Sequence, residues 1–282
     1  MFNTTPGSLP KVLRYLIIAT AVIFVLDFLT QGRFISPWLG LSTPRVLGAF
    51  ELWRLLSYAF VHSVSSPFHI LFNMLMLYMF GIAVLERTGE KIFFFMYLGA
   101  AIFAALFSVL WDKITGGAPL YVGASGAVYA IMVAFACYYP RQTLLIFFVV
   151  PMQAVWAVVL FIGIDLLLLT RSDGIAHITH LGGALFGYLC VRYMDKIDGL
   201  FVHWENRQQK QQEKKAIRIR EEMQRSSKQV DLLLAKISQK GIQSLSRSEK
   251  KILDQASQAK RANRPDSDLE IRKIIPGNFD RK

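Results

Sequence analysis

The sequence predicts an all-α membrane protein, a bundle of six transmembrane helices with a long, partly embedded first loop and a small helical cytoplasmic tail. Three observations predict it. Hydrophobic residues fill 53% of the 282 positions and the mean hydropathy is +0.36, both above the range of ordinary soluble domains. The apolar residues concentrate before about Val191 in windows long enough to cross a bilayer. The charge lies elsewhere: 22 of the 32 Lys and Arg and 13 of the 20 Asp and Glu fall at 192–282, giving that tail +9 of the formal +12.

Apolar windows of about twenty residues place the spans at roughly 12–30, 67–86, 92–111, 123–139, 152–170 and 176–194. The first is too long for a signal-peptide core and reads as a retained span. Loop 31–66 carries Phe34, Trp38, Phe50, Trp53, Tyr58 and Phe60 among prolines and charges, which suits a protein-packed excursion at the membrane interface; an ordinary external loop with an aromatic belt is the alternative. Pro151 interrupts the fifth apolar run. Proline suits a first helical turn, so the fifth span is expected to open there, after an extended connector over 143–150.

An even number of spans puts both ends on one side. Lys11, Arg14, Arg87, Lys91, Arg141, Arg192, Lys196 and the tail then gather together, against Arg33, Arg45, Arg54, Lys113 and Arg171 opposite. Positive loops favour the cytoplasm, so both termini are expected inside. Cys137 and Cys190 sit in separate apolar segments and read as small buried hydrophobes.

Two polar residues stand out within those segments. Ser125 lies in Gly123-Ala-Ser-Gly126 near the start of the fourth span, and His180 opens His-Leu-Gly-Gly183-Ala-Leu-Phe-Gly187 in the sixth. Polar side chains are costly in hydrocarbon and usually functional there, and a hydroxyl with an imidazole is a nucleophile with its base. On the six-span topology both reach similar depths on the external side. Gly123, Gly126 and Ala130 face one way at spacings of three and four residues, as do Gly183 and Gly187 at four, and such small faces let helix backbones touch. Alone they indicate packing only. The first N–H groups of the helix at Ser125 lack intrahelical partners and can stabilise an oxyanion.

Span two carries His69 and Asn73 at i, i+4, on one face, with donors suited to a developing negative oxygen; Asn73 could instead bond helices together. Tyr129 shares the face of Ser125 and could stack on His180 or simply pack in the core. His177, a turn earlier, is expected nearer the surface beside the site, and His62 is assigned to the external loop. Asp165 in span five could orient an imidazole and complete a triad, but a helix cap or an interhelical bond is its commoner use, so it is left out of the site. No metal-ligand signature and no cofactor motif is present.

Taken together, these residues resemble the rhomboid intramembrane serine proteases over about 30–195. Trp53-Arg54 is similar to the first-loop Trp-Arg, His69-Ile-Leu-Phe-Asn73 to the second-span His-x-x-x-Asn, and Gly123-Ala-Ser125-Gly126 to the Gly-x-Ser-Gly nucleophile motif. The sixth-span motif departs in having Thr179 before His180; Gly183 and Gly187 follow as expected, and only His180 has Gly at both +3 and +7. The resemblance implies a Ser125–His180 dyad without an acid and an oxyanion hole of His69, Asn73 and the Ser125 N–H. It also implies that Tyr129 supports the histidine, that no cofactor or metal takes part, and that the substrates are transmembrane segments of other proteins.

The tail reads as a solvated basic helix over 198–226, followed by an apolar face of Val230, Leu233, Leu234 and Ile237 ended by Gly241. Ser246-x-x-Glu249 is a capping box opening a further helix. The expected domains are a membrane protease domain at 1–197, a helical tail at 198–262 and a disordered end at 263–282. The tail is expected to meet anionic cytoplasmic lipid or a cytoplasmic partner rather than nucleic acid. The expected location is a bacterial inner membrane, with the site opening outward. Two rival functions are a rhomboid-like protein that binds membrane clients without cutting them, which would ordinarily lack Ser125 or His180, and a transporter, for which no internal repeat speaks.

Overall fold

The computed structural model describes residues 9–146, 149–171 and 176–262, the last four as backbone only. The chain divides into two compact units between Asp198 and Gly199.

The first unit is built from helices, and it is an integral membrane protein. Helices α1 (Lys11–Leu29), α5 (Pro67–Thr88) and α6 (Glu90–Thr115) are long and apolar enough to cross a bilayer. Three shorter ones complete the set: α7 (Ser125–Tyr138), α8 (Ala154–Leu167) and α9 (His177–Arg192). Between α1 and α5 the chain makes three short helices, α2 (Ile35–Leu39), α3 (Thr43–Gly48) and α4 (Arg54–Ser57), and a 3-10 turn at Tyr58–Phe60.

Residue size explains the layering. Helix α6 buries Ala100, Ala101, Ala104 and Ala105, and α7 is buried almost all round, so α6, α7 and α9 form the centre. Small side chains permit this approach. The outer helices do the opposite. Helices α1 and α8 expose Ile18, Val22, Leu26, Trp156, Val159 and Leu167, apolar surface far larger than water tolerates and natural against lipid.

The first loop is pinned by buried polar groups. Arg54, 2% exposed, donates to the carbonyls of Gly40 (2.6 Å) and Pro37 (2.9 Å) and pairs with Glu51. Asp112 of α6 accepts from Thr43 (2.5 Å) and Tyr121 (2.6 Å), and Leu41 and Tyr121 exchange backbone hydrogen bonds, both 2.9 Å. The segment that leads into α7 is thereby fixed to the loop.

Three expectations need correction. The connector after α7 is an antiparallel hairpin, β1 (Thr143–Ile146) with β2 (Val150–Gln153), and Pro151 sits in β2 opposite Leu145. A two-stranded ribbon has open edges, so a residue without an N–H is accommodated there, and the helix opens three residues later at Ala154. Cys190 is buried, but Cys137 is exposed on the outside of α7. In the tail, the basic stretch and the apolar face belong to one continuous helix, α10 (Met194–Lys240), since no Gly or Pro interrupts it between Gly199 and Gly241.

In the second unit, α10 stops at Gly241, which takes φ +75°. Helix α11 (Arg247–Ala262) follows, capped by Ser246 Oγ accepting from Glu249 N–H (3.2 Å) while Glu249 accepts from Ser246 N–H (2.7 Å). Lys236 Nζ donates to Glu249 at 2.8 Å, and Leu233 and Leu245 are buried. The carboxyl of Glu249 is held down, at about 2, chiefly by its hydrogen bond from Lys236. Residues 263–282, expected to be disordered, lie outside the described residues.

Candidate active site

Ser125 is the first residue of α7, half-buried, and the first intrahelical bond runs from Val128 N–H to the Ala124 carbonyl. The N–H groups of Ser125, Gly126 and Ala127 therefore precede the helical ladder and present the positive end of α7 at this point. The approach is held from three sides. Gly123 N–H donates to the Tyr58 carbonyl (3.0 Å), Ala124 N–H donates to His62 Nε2 (3.3 Å), and the His69 ring lies on Gly123. Gly123 has φ +125°, and a Cβ there would fall 2.7 Å from His69 Cε1, so glycine alone fits.

Helices α7 and α9 meet backbone to backbone at the level of Ser125. A Cβ on Gly183 would lie 1.9 Å from the Gly126 carbonyl oxygen, and one on Gly187 2.4 Å from that of Ala130. The Thr179 carbonyl also crowds Gly126, and the Thr179 hydroxyl bonds Ser108 of α6 at 2.6 Å. His180 extends from this seam with its ring stacked on Tyr129, 4.3 Å between centroids and 12° between planes. Tyr129 is one turn along α7 from Ser125. Tyr129 and His180 are thus brought together one turn along α7 from Ser125, with Gly126, Gly183 and Gly187 as the contact surface.

His69 and Asn73 share the inner face of α5. The His69 ring lies against Gly123, while Asn73, buried, donates Nδ2 to the His69 carbonyl at 2.8 Å. That bond takes one of the two amide N–H groups and orients the other.

Two residues set aside by sequence reasoning belong to this cluster. Asp165, 3% exposed, accepts through Oδ1 from His177 Nδ1 at 2.6 Å and from His180 Nδ1 at 3.0 Å. It does make an interhelical bond, but to the imidazole of the site. It is the single ionisable residue of α8, a signal that could have found it, because a charge within an apolar helix rarely lacks a function. His62 is wholly buried behind Ala124, its ring 5.1 Å from that of His69. Burial pushes its imidazole down to about 3, so it stays neutral and accepts from Ala124. His177, expected nearer the surface, is buried as well. Asp165, His177 and His180 bring three ligand atoms within 4.8 Å, near enough for a cation, but direct hydrogen bonds already pair them.

Residues 49–196, just over half of the chain, match the Rhomboid domain. The chain belongs to the rhomboid family. Among curated relatives, the RHOMBOID-like protein 12, mitochondrial, of Arabidopsis thaliana is 30% identical over 60% of this chain and 54% of its own length. The Rhomboid protein 1, mitochondrial, of Saccharomyces cerevisiae is 29% identical over 69% and 56%. The rhomboid protease GlpG of Salmonella paratyphi A is 33% identical over 41% and 39%. The chain spans about half the length of the first two. Residues 218–259 match a family of unknown function (DUF6576).

Proposed function

We propose that this rhomboid protein is an intramembrane serine endopeptidase that cleaves transmembrane segments of other membrane proteins through Ser125 and His180. The observation that supports the reading is the α7–α9 seam: Gly126, next to Ser125, touches Gly183, three residues from the stacked imidazole of His180. Nδ1 of His180 is engaged by Asp165, which leaves Nε2 for the serine hydroxyl.

The six apolar helices α1, α5, α6, α7, α8 and α9 are read as six spans, with both termini cytoplasmic and residues 1–197 as the protease domain. Helix α7 has 14 residues and is about 21 Å long, against a hydrocarbon core of about 30 Å. With its far end at the cytoplasmic face, Ser125 lies about 9 Å below the external boundary of that core. On this topology water comes to the serine from the external side, the nearer of the two.

The chemistry follows the acyl-transfer template. Ser125 Oγ bonds to the scissile carbonyl carbon as its proton passes to His180 Nε2. The carbonyl oxygen becomes negative against the Ser125 N–H, the Asn73 amide and His69. The C–N bond breaks as His180 returns the proton to the leaving nitrogen. Water, deprotonated by the same imidazole, then cleaves the ester and restores Ser125. A substrate helix must unwind to offer one peptide bond, so small or helix-breaking residues favour a site.

A fluorophosphonate probe tests this reading. The native full-length chain in liposomes is expected to label covalently, and Ser125→Ala and His180→Ala to lose the label. A folded native chain that takes no label would leave a binder of membrane proteins instead.

A further inference from the structure

We infer that Asp165 is a positioning residue of the reaction, so that the base of this protein is held by a carboxylate and the site works as a Ser–His–Asp triad. The inference rests on the reading of Ser125 and His180 as nucleophile and base.

Two constraints are needed to aim an imidazole. The stack on Tyr129 fixes the plane of the His180 ring but not its rotation within that plane, nor which nitrogen carries the proton. The bond from Nδ1 to Asp165 Oδ1 at 3.0 Å supplies both: it requires the proton on Nδ1 and turns Nε2 away from α8. Tyr129 holds the ring from α7 by stacking, while Asp165 holds it from α8 by the hydrogen bond. Without the carboxylate, the ring could flip between two tautomers, only one of which can accept the serine proton.

A second use of Asp165 competes with this one. His177 bonds the same oxygen at 2.6 Å, and a clamp between α8 and α9 needs nothing more. His177 stands edge-on to His180, its ring 6.3 Å away at 84°. A clamp alone gives no reason for a second imidazole to share that oxygen, nor for the buried acid to sit beside a ring already stacked next to Ser125. Burying a carboxylate at 3% exposure in an otherwise apolar helix is expensive, and two imidazole donors on Oδ1 offset part of the cost.

Labelling kinetics separate the two uses. For the full chain in liposomes, the rate of inactivation by a fluorophosphonate–fluorophore probe is measured against probe concentration, giving kinact and KI, together with thermal unfolding. Asp165→Asn keeps the shape and removes the charge. Its kinact is expected to fall at least tenfold and at most about 10⁴-fold, the loss that the same change causes in soluble serine proteases, with KI within twofold. His177→Ala is expected to lose several-fold less than Asp165→Asn. If Asp165→Asn does not fold, Asp165→Glu, which moves the carboxylate by one methylene, is read by the same criteria. A folded Asp165 variant with kinact within twofold of native overturns the inference, and so does a His177→Ala loss equal to that of Asp165→Asn. Label retained by Ser125→Ala is a different failure, that of the nucleophile itself.

Discussion

Adding one methyl group at Gly183 should separate the nucleophile from its base. The Cβ of Gly183→Ala would fall 1.9 Å from the Gly126 carbonyl oxygen and 2.6 Å from its carbon, both backbone atoms that cannot rotate away. Ordinary contact begins at about 3.4 Å, so α7 and α9 must part by about 1.5 Å there. Ser125 is the residue before Gly126, and His180 is three before Gly183 on the same helix. The gap therefore opens where the proton must pass. Displacing a reacting group by about 1 Å costs on the order of 10²-fold in rate, so kinact should fall by about 10² or more. Overpacking costs about 1–3 kcal/mol, which leaves the protein folded. Gly187→Ala needs an opening of about 1 Å, one turn further from the chemistry, and should lose about tenfold. Gly163→Ala on α8, where nothing lies within 4 Å, should match the native chain. Fluorophosphonate labelling in liposomes, with thermal unfolding alongside, reads all three. A folded Gly183→Ala that labels at the native rate would refute the argument that this seam sets the catalytic geometry.

Three further outcomes follow from particular residues. Asn73→Ala should lower the turnover of a transmembrane reporter by about 10²–10³-fold with little change in KM, the signature of a donor used in the transition state; a change confined to KM would reassign Asn73 to helix packing. His62, held at about 3 in the fold and near 6.5 when unfolded, takes up a proton on unfolding anywhere between those values. Its contribution is flat above about pH 6.5, and stability falls as the pH drops through that window; His62→Gln should flatten this part of the melting profile, and an unchanged slope would count against it. Glu249 is the opposite case. Its carboxyl, lowered to about 2 by Lys236, supports the α10–α11 turn at neutral pH and loses that support as the pH falls from about 4.5 towards 2. Helicity followed by circular dichroism should show that loss in the native chain and a smaller one in Lys236→Ala, where the Ser246 N–H still holds the carboxylate.

What the sequence could disclose depended on whether the information was local. Ser125, His180, Gly183 and Gly187 were legible because helix periodicity converts spacing into a shared face, and small faces in lipid have few uses besides contact. His69 and Asn73 were legible for the same reason. Asp165 was not. Fifteen residues separate it from His180, and its role depends on which side α8 turns toward α9, which no spacing encodes. His62 was missed because a loop residue is read as exposed until the loop is known to fold inward. Here Arg54 draws the loop in by binding the carbonyls of Pro37 and Gly40, and Tyr58 carries it to Gly123. Pro151 misled through a rule that is sound for helices and indifferent to a two-stranded edge.

These misses share a physical cause that bears on the mechanism. On the proposed reading, a reaction that consumes water inside hydrocarbon needs a pocket whose polar groups find most of their partners within the protein. Tyr58, His62, His69, Asp165 and Thr179 provide partners from the loop, α5, α8 and α9, so the site is assembled from four elements that no single motif spans. The motifs around Ser125 and His180 specify the proposed reacting pair. Its environment is specified by residues that look ordinary until the fold brings them in: one acid in an apolar helix, one histidine in a loop, one threonine where the resemblance led us to expect alanine. Thr179 shows the principle at its smallest scale. Its hydroxyl bonds Ser108 of α6 at 2.6 Å and its carbonyl rests against Gly126, so the residue before the base fixes α9 to both neighbouring helices. An alanine there would keep the backbone contact and lose the bond to α6, leaving Ser108 to its own helix through the Ala104 carbonyl, 3.1 Å away. The departure from the family pattern thus has a structural use in this chain, and it strengthens the placement of His180.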